Sequence, residues 1–374
     1  MAALDSPARR DLLMHGPVLH VTGARPNFPK AAPVIRGLDA LGVDQVLVHT
    51  GQHYDDRMSE VFFRELDLPR PDLNLGVGSA SHAAQTARLM VELETVLLDR
   101  APSLVVVYGD VNSTAAAAMV AAKLQQPLAH VEAGLRSFDL SMPEEINRMV
   151  TDRLSALLLC TSADAIAHLA REGADPASIH LVGNPMIDTL LASMDRFDVE
   201  RARREHALEG RYAVATLHRP GNVDNPEDIA ALVAAMHSVA DQVPVVLPLH
   251  PRGRGRLREG GLFDHPGMRI VDPLGYLDFM GLVRGADLVV TDSGGVQEET
   301  TVLGVPCLTL RPNTERPVTI THGTNRLVTR ENLAAATAET LAAGRPETWD
   351  VPPLWDGRAG ERIASVIAGF LEEH

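Results

Sequence analysis

Short, continuously apolar runs rich in β-branched residues alternate along this chain with longer Ala- and Leu-rich stretches. The first set of runs covers residues 18–22, 45–49, 104–108, 128–131 and 156–160, with 179–182 as a shorter candidate. Strands apolar on both faces, separated by segments of helical composition such as 114–123, predict a parallel sheet covered by helices on both sides. The rhythm restarts at 213–217, 245–249, 268–271, 288–291 and 307–310. Two successive doubly wound α/β domains are the natural reading. The boundary falls within 183–198, where Gly183-Asn184-Pro185 ends a strand, a helix follows and a highly charged stretch, 198–206, opens the next unit. We expect an N-terminal extension over 1–15, a first domain over 16–188 and a second over 189–356. A last helix near 360–373 is expected to return with 357–374 to the first domain.

Composition narrows the function. Lys plus Arg is 34 and Asp plus Glu is 49, so the formal net charge is -15. No basic face for nucleic acid is expected from that balance, although a local basic pocket can still hold a small anion because salt screens beyond about 10 Å. The two cysteines, Cys160 and Cys307, lie in apolar runs and read as buried free thiols of a reducing compartment, with the cytoplasm expected. No His/Cys cluster has metal-ligand spacing, no run approaches the ~18 apolar residues of a membrane span, and the start lacks the apolar core of a signal peptide.

In open parallel sheets, ligands bind at the carboxyl ends of strands, and polar residues gather there. The first strand runs into Gly23-Ala24-Arg25-Pro26-Asn27-Phe28-Pro29-Lys30, where a turn and a helix start near Pro26 suit an anion, with Arg25 and Lys30 adding charge. Asp110 follows the run 104–108, Glu132 closes the run 128–131, and Glu144 opens a helix. Each has an ordinary alternative: Asp110 as a cap or turn residue, Glu132 paired with Arg136, Glu144 in a capping box with Ser141 or paired with Arg148. Together they put three carboxylates on one edge of one domain, where they would raise one another's pKa and suit proton removal from, and return to, a carbon. The second domain offers His218-Arg219 after a strand, His250-Pro251-Arg252 after the next, and Thr291-Asp292-Ser293-Gly294-Gly295 opening a helix that carries Glu299. The double glycine lets a phosphate approach that helix start. Arg316 in Thr314-Glu315-Arg316-Pro317 is a candidate phosphate clamp.

Taken in order, GARPNFPKAAPV, TGQHYD, YGDVNST, HVEAGLRSFDLSMPEEINR, TLHRPGNVDN, TDSGGVQEE and TERP resemble the non-hydrolysing UDP-N-acetylglucosamine 2-epimerases, from about Val18 to about Val328. The resemblance implies two Rossmann-like domains facing a cleft, the GT-B type of fold, with UDP held mainly by the second. It implies anti elimination of UDP through a bound 2-acetamidoglucal and re-addition with inverted carbon 2, without nicotinamide or metal. It assigns the acid–base set to Asp110, Glu132 and Glu144, and phosphate contact to His218. Substrate or UDP contacts fall on Arg25, Lys30, Arg136, Arg219, Phe279, Ser293, Gly294, Gly295, Glu299 and Arg316. Phe279 would lie near the uracil and Glu299 at the ribose. A homodimer is also implied, with no nucleic-acid or membrane partner. The chain departs from the bacterial pattern at Pro220-Gly221 and, where the family has an allosteric site, at Asp55 and 76–82, although Gln52 is kept. A related UDP-sugar such as UDP-2,3-diacetamido-2,3-dideoxyglucuronate, a hydrolysing 2-epimerase, a GT-B glycosyltransferase and a non-catalytic nucleotide-sugar binder are the alternatives.

Overall fold

The computed structural model describes residues 16–51, 63–217, 226–249 and 251–374; the side chains of Arg25, Pro226 and 251–253 fall outside the description. The chain folds as two compact units. One runs to Ala192 and regains Pro353–His374; the other is Ser193–Pro352. The first boundary thus lies four residues beyond 188, and the chain returns at 353 rather than 357.

The first unit is a seven-stranded sheet, all parallel, in the order β3-β2-β1-β4-β5-β6-β7. Its strands are β1 (Val18–Thr22), β2 (Gln45–His49), β3 (Leu73–Asn74), β4 (Leu104–Tyr108), β5 (Leu128–Ala133), β6 (Leu157–Cys160) and β7 (Ile179–Leu181). Every residue of β1 and β4 is buried, which is why these strands read as unbroken apolar runs. Helices α1 (Phe28–Leu41), α2 (His82–Arg100), α3 (Asn112–Lys123), α4 (Pro143–Leu154), α5 (Ala163–Arg171) and α6 (Pro185–Ala192) connect them. Helices α2, α3 and α4 pack side by side.

The second unit repeats the winding with six parallel strands in the order β10-β9-β8-β11-β12-β13. They are β8 (Ala213–Thr216), β9 (Val245–Pro248), β10 (Met268–Val271), β11 (Leu288–Thr291), β12 (Cys307–Leu310) and β13 (Asn325–Val328). Its helices are α7 (Val199–Glu205), α8 (Pro226–Ala240), α9 (Pro251–Glu259), α10 (Tyr276–Gly285), α11 (Gly294–Leu303), α12 (Val318–Thr321) and α13 (Leu333–Ala343). Both sheets reverse their strand order beside their first strand, at β1/β4 and β8/β11, and such reversals open a crevice at the strand C-termini.

The last helix, α14 (Ala359–Glu373), packs on α1 of the first unit. Its free N-terminal N–H groups are met by a buried carboxylate. Asp188 of α6 accepts from Ala359 N at 3.1 Å and Gly360 N at 2.7 Å. Just before it, Trp355 Nε1 donates to Thr161 O at 2.9 Å. These bonds seat the returning segment without any covalent link.

Candidate active site

The polar loops of the first unit converge at the C-terminal ends of β1, β4 and β5. Asn27 organises the first of them. Its side-chain oxygen accepts from Gly23 N at 2.9 Å and Ala24 N at 3.1 Å, while its amide donates to Tyr108 O at 2.9 Å. The N–H groups of Gly23 and Ala24 in the turn are therefore occupied from within. A short 3₁₀ turn, Arg25–Asn27, precedes α1, so the α-helix begins at Phe28 rather than near Pro26.

Lys30, buried in the first turn of α1, forms an ion pair with Glu132, itself buried. Glu132 stands at φ +77 where β5 shifts register between Val131 and Ala133. Such a bulge re-aims a side chain at the cost of backbone strain. Gly109 makes room for the pair: at φ +62, a Cβ there would lie 3.0 Å from Glu132 Oε2 and 3.1 Å from Lys30 Nζ. The Lys30 ammonium thus lies on this carboxylate at the C-terminal ends of β1 and β5.

Asp110 follows directly. Its Oδ2 accepts from Arg148 Nη2 at 2.6 Å and Nε at 3.0 Å, and Asn147 donates to its backbone carbonyl at 2.9 Å. Helix α4 is inverted in character: Glu145, Arg148, Thr151 and Asp152 are its buried residues, while Ile146, Met149 and Leu154 are exposed. Glu144 lies half-buried in its first turn, one turn ahead of Arg148. Asp110 and Glu132 thus stand at neighbouring strand ends, and Glu144 lies in the first turn of the helix whose Arg148 pairs with Asp110. Two of the three carboxylates carry a cation, Lys30 on Glu132 and Arg148, shared with Glu145, on Asp110.

Three local expectations need correction. No Ser141–Glu144 capping box forms: Met142 is the N-cap and makes no side-chain cap bond, while Ser141 turns to Asp139 at 2.6 Å. Glu145 holds the preceding loop instead, accepting from Ser137 N and Phe138 N, both at 2.9 Å, and from Arg148 at 2.6 Å. Arg148 serves Asp110 and Glu145, and among the described residues Glu144 has no ion-pair partner. Arg136 is buried and taken up by Glu172 at 2.6 Å and Asp152 at 2.7 Å rather than pairing with Glu132.

In the second unit, α11 starts at Gly294 after Ser293, whose hydroxyl caps no N–H of the first turn. With Gly295, this leaves a helix start of small residues suited to an anion. Arg316 lies across it, paired with Glu298 at 2.9 Å and with Glu315. Gly294 is required by that approach: a Cβ there would collide with the Arg316 guanidinium and sit 3.0 Å from Glu315 Oε1. Arg311 reaches Glu315 at 2.5 Å. Glu299, buried in α11, has its pKa pushed from 4.5 up to about 8: burial is the main cause, the Tyr276 hydroxyl bond works against it and neighbouring Glu298 adds to it. Phe279 is half-buried in α10.

His218 and Arg219, with Pro220-Gly221-Asn222, lie outside the described residues, as do His250, Gln52, Asp55 and the 1–15 segment. Arg25 falls in the 3₁₀ turn, its side chain outside the description, as is that of Arg252. Among the described residues no group of three or more His, Cys, Asp or Glu could hold a metal ion, and no helix is long and apolar enough to cross a membrane.

Asn27 and Asn147 also support the site, and the sequence reading did not single them out, while Arg148 entered it only as a partner for Glu144. The usable signal was charge at 145, 148 and 152, a helical spacing that fills the buried face of α4.

Known proteins share this fold. The family model described as UDP-N-acetylglucosamine 2-epimerase matches residues 38–368. The UDP-N-acetylglucosamine 2-epimerase of Methanocaldococcus jannaschii is 40% identical over 357 residues, covering 93% of this chain and 97% of that protein. The UDP-2,3-diacetamido-2,3-dideoxy-D-glucuronate 2-epimerase of Pseudomonas aeruginosa is 41% identical over 357 residues, 94% of this chain and 99% of its own. A crystal structure of the M. jannaschii enzyme in complex with UDP-GlcNAc and UDP superposes with a TM-score of 0.88 at 41% identity, covering 94% of this chain and 99% of that one. That of Neisseria meningitidis UDP-GlcNAc 2-epimerase bound to UDP-GlcNAc gives 0.84 at 27% identity, over 96% and 100% of the two chains. With two doubly wound parallel-sheet units and a match along nearly its whole length, the chain belongs to the UDP-N-acetylglucosamine 2-epimerase family.

Proposed function

We propose that this protein interconverts UDP-N-acetylglucosamine and UDP-N-acetylmannosamine without hydrolysis. What supports the reading is the placing of Asp110 and Glu132 at neighbouring strand ends, with Arg148 and Lys30 on them, and of Glu144 one turn ahead of that Arg148. A carboxylate takes the proton from carbon 2. The electron pair left behind forms the carbon 1–carbon 2 double bond, and the bond from carbon 1 to the diphosphate oxygen breaks with its pair going to UDP. Return of UDP to carbon 1, with a proton delivered to the other face of carbon 2, gives the epimer. Protonation of either face needs acids on both sides, which more than one carboxylate can supply. Proton transfer alone balances this chemistry, so the proposal calls on neither nicotinamide nor metal.

The second unit is read as the nucleotide holder. The Ser293 hydroxyl and the N–H groups of Gly294 and Gly295, with Arg316, His218 and Arg219, would stabilise the charge developing on the departing diphosphate. Arg25 would add a cation from the first unit. Glu299 would meet the ribose and Phe279 the uracil. Buried Cys160 and Cys307 suit a reducing cytoplasm. The exposed apolar side chains of α4, with Val91 and Leu98 on the neighbouring α2 at 65% and 64% exposure, support a homodimer through these helices.

Product analysis tests the reading: incubation with UDP-N-acetylglucosamine alone is expected to give UDP-N-acetylmannosamine with no free sugar. Free N-acetylmannosamine plus UDP would make the enzyme hydrolysing instead, and product formed only with an added acceptor would make it a glycosyltransferase. The Pseudomonas aeruginosa relative favours a second reading, the same chemistry on UDP-2,3-diacetamido-2,3-dideoxyglucuronate. Turnover of that sugar alone would select it.

A further inference from the structure

We propose that His130 is a buried imidazolium, protonated on both ring nitrogens, that positions the Asp110 turn and the Glu132 bulge for proton transfer. His130 is fully buried in β5. Its Nδ1 stands 2.6 Å from Asp152 Oδ1 and its Nε2 2.8 Å from the carbonyl oxygen of Gly109. A peptide carbonyl can only accept. Asp152 is also an acceptor: burial works against its charge, yet its pKa is held below the usual carboxylate value, with Arg136 at 2.7 Å and the Gly134 N–H at 3.1 Å on its other oxygen. A neutral ring would turn a lone pair on one of these two oxygens; two donated bonds require two protons.

The charge is balanced inside one network. Asp152 lies between His130 and Arg136, and Arg136 passes on to Glu172. This accounts for the burial of the Arg136 guanidinium.

The same bonds straddle the acids. Gly109, the residue before Asp110, donates its N–H to Val131 O at 3.0 Å and gives its carbonyl to the His130 ring, so both of its backbone groups are tied to consecutive residues of β5. Asp152 Oδ2 accepts from Gly134 N at 3.1 Å, two residues beyond Glu132. The register shift that aims Glu132 is thereby held on both sides. His130 is a positioning residue, since its ring nitrogens are both engaged within the fold. The proposal rests on the reading of Asp110 and Glu132 as the acids.

Nitrogen NMR of protein labelled in its histidine rings tests the protonation directly, with the His130 signals assigned by their loss in His130→Gln. Two protonated-type nitrogens at neutral pH are expected; one lone-pair nitrogen would overturn the proposal. Kinetics test the positioning. His130→Gln keeps an amide donor but no charge, and is expected to lower kcat at least about tenfold with KM little changed, as a displaced acid–base group does. An unchanged kcat, or a loss wholly in KM, would overturn it. Should that variant not fold, the wild-type spectrum, assigned instead through Asp152→Asn, decides the question. Absence of turnover in the wild type would sink the acid–base reading and leave the NMR result standing.

Discussion

Glu299 gives the sharpest numerical expectation. The native protein keeps this carboxyl protonated well beyond its ordinary 4.5, up to about 8, because α11 removes it from water and sets Glu298 beside it, against the opposing bond from Tyr276. A native state that holds a proton the unfolded chain releases loses stability as pH rises. The contribution is fully present below about pH 4.5 and is lost through about pH 8. Each pKa unit is worth about 1.4 kcal/mol, so the whole difference amounts to about 5 kcal/mol, of which about 4 has accrued by pH ~8. Glu299→Gln keeps the shape and the acceptor for Tyr276 but cannot ionise. Urea unfolding of wild type and variant, compared at several pH values, isolates this group because all others titrate alike in both proteins. The variant's stability relative to wild type is expected to rise by about 4 kcal/mol between pH ~4.5 and pH ~8. A difference independent of pH would refute the reasoning, since it would mean that Glu299 is already ionised in the native protein.

Three further outcomes follow from the structure. Lys30→Met withdraws the ammonium from a buried carboxylate, and a broken buried pair costs ~3–5 kcal/mol; a urea midpoint within error of wild type would contradict the pairing with Glu132. Asp188→Ala uncovers the N–H groups of Ala359 and Gly360, so a cap loss of ~1–2 kcal/mol is expected, with faster amide exchange confined to 353–374; unchanged exchange there would mean that the helix is held otherwise. The double variant Val91→Glu with Leu98→Glu is expected to sediment as a monomer, and a persistent dimer would move the interface elsewhere.

The strands were legible because burial on both faces leaves a parallel strand no polar positions. Residues 18–22, 45–49, 104–108, 268–271, 288–291 and 307–310 coincide with β1, β2, β4, β10, β11 and β12. β3 has only two residues, and β13 carries exposed Arg326 between buried ends, so neither shows a run. Which residues approach the first-unit site could be read from their places at strand ends, but their pairing could not. Ser141 and Glu144 have capping-box spacing, yet the loop before them turns back through Phe138 at φ +58 and hands its N–H groups to Glu145. Lys30 and Glu132 are 102 residues apart and meet only because β4 and β5 lie beside β1's connection. Arg136, four residues after Glu132, offered itself as that carboxylate's partner; its partners, Asp152 and Glu172, come from the far end of α4 and the end of α5.

The central claim is that carboxylates at the C-terminal edge of the first sheet exchange the proton on carbon 2. Its most direct measurement is proton NMR of UDP-N-acetylglucosamine incubated in heavy water with wild type and with Asp110→Asn, Glu132→Gln and Glu144→Gln. Deuterium is expected at carbon 2 of both epimers with wild type, and at least ~100-fold more slowly with each variant, as loss of an acid–base group gives. Wild-type epimerisation with no deuterium at carbon 2, or near-normal exchange in all three variants, would contradict the account.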